Sequence, residues 1–128
     1  MILPDDKSSL QELIKRTRHL WKFLECEDKK NKIADLELEM SAPAFWDDQA
    51  NARKVGSESN RLKQTVSRIE DFKSEVDDLE ALCELCEEDE DDQEMAQEFV
   101  STLTHLISRI DDLEVASVFN EPFDVRPA

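Results

Sequence analysis

Residues 55–86 read VGSESNRLKQTVSRIEDFKSEVDDLEALCELC, and this stretch decides the fold. Val55, Leu62, Ile69, Val76 and Cys83 recur every seven residues. Thr65, Phe72, Leu79 and Cys86 supply a second seam position, and Val66, Leu82 and Leu85 widen the stripe. A heptad of this kind marks a helix that keeps one seam against a neighbouring helix. The spacing predicts a helix over residues 48–86, ~60 Å long at about 1.5 Å per residue. Gly56 lies inside it at a cost of about 1 kcal/mol against Ala. It is read as allowing close approach of the Trp46 segment or a local bend.

Downstream, Glu87 to Asp92 is a run of acids only. Like charges this dense repel within a helix, so the chain is expected to reverse here. Met95, Phe99, Leu103, Leu106, Ile110 and Leu113 then recur at steps of three and four. That stripe can zip antiparallel against the long helix. Residues 119–128 leave the pattern, with Phe123 and Val125 alternating with polar residues, and are expected to form an extended exit.

Upstream, Leu10, Leu13, Ile14, Thr17, Leu20, Trp21 and Leu24 share one helix face. Ser8 with Gln11, or Ser9 with Glu12, fits a capping box that would start this helix. Lys15, Arg16, Arg18 and Lys22 lie off the stripe and form a basic outer face. A shorter helix is expected from about residue 28 to 40, with Ile33, Leu36 and Met40 inward. Pro43 breaks it, because proline lacks the amide donor and disfavours helical geometry at Ala42. Asp47 or Asp48 can cap the next helix. Phe45 and Trp46 are expected to fold back as a plug, with an exposed anchor for a partner as the alternative.

The composition agrees. The chain has 128 residues with one Gly, four Pro and no Tyr, too little turn material for many short strands. The expected fold is therefore all-α, a helical bundle with a long antiparallel coiled-coil hairpin. Formal charge is −16, and it is uneven. Residues 1–63 carry 12 basic and 12 acidic groups; residues 64–128 carry 4 and 20. The acidic half should repel phosphate backbones. No apolar run reaches the length of a membrane span, and the expectation from the opening residues is a cytoplasmic protein with reduced thiols and without a secretory signal.

Catalytic signals are sparse. Cys83-x-x-Cys86 lies on the heptad seam, outside the strand-to-helix setting of a redox motif. Cys26, His19 and His105 are too far apart in sequence to complete a zinc site with it, so packed cysteines are expected. The acidic run lacks the glycine and alternating ligands of a calcium loop. No catalytic residue, cofactor or metal is expected, and Lys15, Arg16, Arg18 and Lys22 are the candidate contact residues.

Three blocks add a family resemblance. They are Leu24-Glu25-Cys26-Glu27-Asp28-Lys29-Lys30, Ile33-Ala34-Asp35-Leu36-Glu37, and Met40-Ser41-Ala42-Pro43-Ala44-Phe45-Trp46-Asp47-Asp48. Together with Ala52-Arg53-Lys54-Val55, Leu62-Lys63 and Leu79-Glu80-Ala81-Leu82, they resemble the N-terminal helical domain of bacterial-type peptide chain release factors of type 2. The Phe-Trp-Asp-Asp string is the most specific part. The resemblance covers roughly residues 8–128. It implies a helical domain over residues 1–118, followed by an exit over 119–128 toward a further domain of the same factor. The codon-reading Ser-Pro-Phe and catalytic Gly-Gly-Gln strings of that family do not occur in this sequence. The implied role is thus ribosome docking at the large-subunit stalk base in termination at UAA and UGA, without catalysis. Membrane and free DNA are not expected partners. A free-standing antiparallel coiled-coil module, such as a paralogue without termination chemistry, is the alternative that periodicity alone leaves open.

Overall fold

The computed structural model describes residues 2–120, and the backbone alone at Asn120. Four helices account for nearly all of it: α1 (Pro4–Phe23), α2 (Cys26–Met40), α3 (Gln49–Glu88) and α4 (Gln93–Asn120). A single 3-10 segment, Pro43–Asp47, joins α2 to α3. The class is all-α, with no strand among the described residues. The predicted exit lies outside the described residues from Glu121 onward, and Phe119 and Asn120 still belong to α4.

The helix boundaries follow local chemistry. α1 starts at Pro4, not at the predicted Ser8 or Ser9. Proline suits the first helical position because its fixed φ is already helical and its amide proton would have no partner there. Asp5 and Asp6 in the first turn favour the same start, facing the positive end of the dipole. Between α1 and α2 the chain turns through Glu25, at φ 52° and ψ 46°, so α2 starts two residues earlier than the spacing predicts. Asp48 caps α3 by accepting the amide of Asn51 at 3.1 Å. Asp92 does the same for α4, accepting the amide of Met95 at 2.9 Å. The reversal falls in the acidic run, as expected, between Glu88 and Gln93.

The chain divides into two compact units, Met1–Leu20 with Lys73–Ala128, and Trp21–Phe72. In the first, α1, the end of α3 and α4 bury one seam each. Leu10, Leu13 and Leu20 of α1, Val76, Leu79, Cys83 and Cys86 of α3, and Phe99, Leu103, Leu106 and Ile110 of α4 are all buried. A four-residue turn joins α3 to α4, and Arg109 of α4 pairs with Glu75 of α3. A pair this far from so short a turn is consistent with the antiparallel arrangement that the two stripes predict. Leu85 departs from the expected stripe: it is 52% exposed, since it falls outside the Cys83–Cys86 seam.

In the second unit, Phe45, Ala52 and Val55 form a buried cluster against which Leu36 and Met40 pack. Leu62, Val66, Ile69 and Phe72 continue the α3 seam. Ion pairs join α2 to α3, among them Lys30–Glu70, Lys32–Glu58 and Lys63–Glu37. The two aromatics before α3 divide. Phe45 is the plug, 7% exposed, whereas Trp46 is 61% exposed and donates its indole N–H to the Met40 carbonyl at 3.1 Å. A 3-10 helix turns through three residues, so consecutive side chains cannot point the same way. Their rings meet edge to face, centroids 5.0 Å apart. Gly56 makes no close approach to Trp46 or to any other group, since a Cβ there would meet nothing within 4 Å.

Candidate functional site

The basic face of α1 comes from the same helical spacing that buries Leu13, Thr17 and Leu20. Thr17 fits the buried side because its hydroxyl donates back to the Leu13 carbonyl at 2.7 Å. Lys15 and Arg18, one turn apart, are exposed. They border an open depression with Gln11 and Ile14 of α1 and Glu80 of α3. No ion pair engages either of them among the described residues. Lys22 is also exposed and belongs to the second unit.

Arg16 differs from the other three. Its Nε donates to Glu114 at 3.2 Å, and its Nη2 donates to both Glu114 and Asp111 of α4. The guanidinium is half-buried, and its pKa is raised above the usual arginine value, first by the hydrogen bond to Glu114 and then by that to Asp111. A planar fork gripping a carboxylate in this way sets orientation as well as charge. Arg16 is thus a strut between α1 and α4. Sequence reading missed it because its partners lie 95 and 98 residues away. Lys7 and Glu87 form a second tie, between α1 and α3, at 2.8 Å. The hydrogen bond from Lys7 lowers the Glu87 pKa, and Glu87 in turn raises that of Lys7.

The remaining chemistry-bearing side chains lie apart from this face. Cys26, Cys83 and Cys86 are buried cysteines outside any disulfide. Burial is the main cause that raises the pKa of Cys83 and of Cys86, which holds both in the protonated, unreactive form. His19 and His105 are both exposed. Among the described residues, no group of three His, Cys, Asp or Glu could hold a metal ion, and no helix is long and apolar enough to cross a membrane. What the α1 face offers is positive charge on a rigid helix, suited to contact with an anionic surface.

Known proteins share this chain's whole length. Peptide chain release factor 2 of an Exiguobacterium species is 36% identical over 128 residues, covering 100% of this chain and 35% of that protein. The release factor 2 of Clostridium perfringens is 32% identical over 124 residues, 97% of this chain and 34% of the relative. That of Corynebacterium glutamicum is 30% identical over 125 residues, with coverage of 98% and 33%. The chain therefore spans about a third of the length of these curated relatives. The family model of the PCRF domain matches residues 29–128, from inside α2 through α3 and α4. On that match the chain belongs to the PCRF domain family, as a helical domain of the release factor 2 type.

Proposed function

We propose that this domain serves a type 2 peptide chain release factor in translation termination at UAA and UGA, docking the factor on the ribosome and leaving the hydrolytic step to other domains. The observation that carries this reading is the match to release factor 2 along the whole chain. The helical architecture supports it: rigid helices bearing exposed charge suit docking. In this reading the domain is non-catalytic, acts in the cytoplasm, and meets the large subunit near its stalk base. Lys15 and Arg18 are the α1 residues available for that contact, with Lys22 beyond them on the same helix. Arg16 contributes indirectly, by holding α1 against α4.

The test uses the purified chain and stop-codon-programmed ribosomes. The chain should co-sediment with ribosomes and release no peptide from peptidyl-tRNA. The double variant Lys15→Glu, Arg18→Glu should bind more weakly and with a flatter salt dependence, because each lost cation releases one fewer counterion. Codon-dependent release by the chain, or binding indifferent to the double reversal, counts against the corresponding part of the reading.

A further inference from the structure

The charge on α3 changes sign along its length. Residues 49–72 carry five basic and three acidic side chains, and residues 73–88 carry one and seven. This order does not serve the helix itself. The macrodipole favours acids at the start of a helix and bases at its end. Yet α3 has no acid in its first turn and no base in its last. The excess of bases in the first half therefore calls for another explanation.

Within the second unit, α3 buries Ala52, Val55, Ser59, Leu62, Val66 and Ile69. At 3.6 residues per turn, the opposite side of the helix carries Arg53, Arg61 and Arg68. All three are exposed, and no ion pair engages them among the described residues. Between them on the same side stand Ser57, Asn60 and Gln64, uncharged hydrogen-bonding groups that are also exposed. Two of the three acids of this stretch stand aside from the row. Glu58 and Glu70 lie toward α2, where Lys32 and Lys30 hold them at 3.0 and 3.3 Å. The third, Asp71, lies on the row's own side, one turn beyond Arg68, and borders an open depression with Arg68, Gln64 and Asn60, so it marks the end of the basic row. The row from Arg53 to Arg68 spans about 22 Å along a straight helix.

We infer that this outer face of α3, through Arg53, Arg61 and Arg68, binds the phosphodiester backbone of RNA. The inference rests on the ribosomal reading above and assigns a surface to it. Arginine suits such a contact because its planar fork matches phosphate geometry and it gives up its weak hydration readily. The interleaved hydroxyl and amide groups can donate to phosphate and sugar oxygens, as backbone-positioning contacts commonly do. An acidic protein partner would also meet three arginines. The spacing of seven to eight residues along one polar face, without an apolar anchor, favours a regular polyanion over a protein hot spot.

The test is sedimentation of the full chain with purified large ribosomal subunits between 50 and 200 mM KCl. The triple variant Arg53→Gln, Arg61→Gln, Arg68→Gln should bind about tenfold more weakly at 100 mM, and its log–log salt slope should fall by about 2. The triple Arg→Lys variant, which keeps the charge, should retain the slope. The substituted sites are exposed, so melting temperatures should be unchanged; if the Gln variant is misfolded, the three single variants should each lower the slope by a fraction of that amount. A photocrosslinker at Ser57 should label ribosomal RNA. If the wild-type chain binds and the Gln variant binds equally well, this inference falls alone. Crosslinks to ribosomal protein only would overturn it in favour of a protein partner. If the wild-type chain fails to bind large subunits at all, the docking reading falls, and this inference with it.

Discussion

Glu25 and Gly56 occupy each other's natural positions. Glu25 has φ 52°, in the left-handed region that crowds a Cβ against the following carbonyl, at a cost of roughly 1–2 kcal/mol. Gly56, the one glycine of the chain, is inside a regular helix with open space where a Cβ would stand. Replacing Glu25 with Gly should therefore stabilise the protein by up to about 1 kcal/mol, and Glu25→Val should destabilise it. Gly56→Ala should also stabilise, by about 1 kcal/mol, through helix propensity and a less flexible unfolded chain. Urea denaturation of the three variants reads both effects. A destabilised Gly56→Ala would show that α3 needs the glycine after all. Ser59 offers a related case. Its hydroxyl is buried and has no hydrogen-bond partner, so Ser59→Ala should leave stability unchanged or raise it. Of these outcomes only the helix-propensity cost of Gly56 was legible in the sequence. A glycine in a heptad suggests a close approach, and a glutamate between two helices says nothing of left-handed backbone; both depend on how the chain is held at that point.

At the scale of the helix, the apolar seams dominate and the ion pairs refine. Leu103 is 2% exposed, and its replacement by Ala should cost about 2–5 kcal/mol. Arg16→Lys keeps the charge and loses the fork to Glu114, and should cost below about 1 kcal/mol, since Glu114 and Asp111 remain well exposed. A larger loss for Arg16→Lys than for Leu103→Ala would invert that ranking. The Lys7–Glu87 tie has a defined pH signature. The Glu87 carboxyl is held below its usual pKa, so whatever the tie contributes is present at neutral pH and is lost as pH falls through that lowered value. This scale also shows what patterning can reveal. The seams of α3 and α4 were readable because burial repeats with the helix. The start of the chain was not, because Pro4 at a first helical position looks like any loop proline. The candidate site was half readable. Spacing alone places Lys15 and Arg18 on the outer face, but which charges meet across helices depends on how one helix slides along the next. Binary patterning leaves that free, so Arg16 looked like its neighbours until Glu114 and Asp111 were in place.

Charge at the scale of the molecule sets the response to salt, and the two units should respond in opposite directions. The unit formed by Met1–Leu20 and Lys73–Ala128 holds 21 acidic and 7 basic residues, a net of −14; Trp21–Phe72 holds 11 and 9, a net of −2. In the first unit, self-repulsion among carboxylates on α3 and α4 opposes folding, and with 7 basic against 21 acidic residues most carboxylates cannot be paired with a cation. Screening shortens the Debye length from about 10 Å at 0.1 M to about 3 Å at 1 M, and should relieve that repulsion. In the second unit, charges nearly balance and ion pairs such as Lys30–Glu70, Lys32–Glu58 and Lys63–Glu37 tie α2 to α3. Each exposed pair contributes about 0.2–1 kcal/mol, which the same salt weakens. Raising KCl from 0.05 to 0.5 M should therefore slow amide hydrogen exchange in residues 76–86 and 99–113 and leave it unchanged or slightly faster in residues 30–40 and 55–69. Hydrogen-exchange mass spectrometry resolves the two sets of peptides. An equal rise in protection everywhere would point to general exclusion of salt from the protein surface, whereas loss of protection in the acidic unit would mean that its ion pairs, Arg16 with Glu114 and Asp111 foremost, outweigh its net charge.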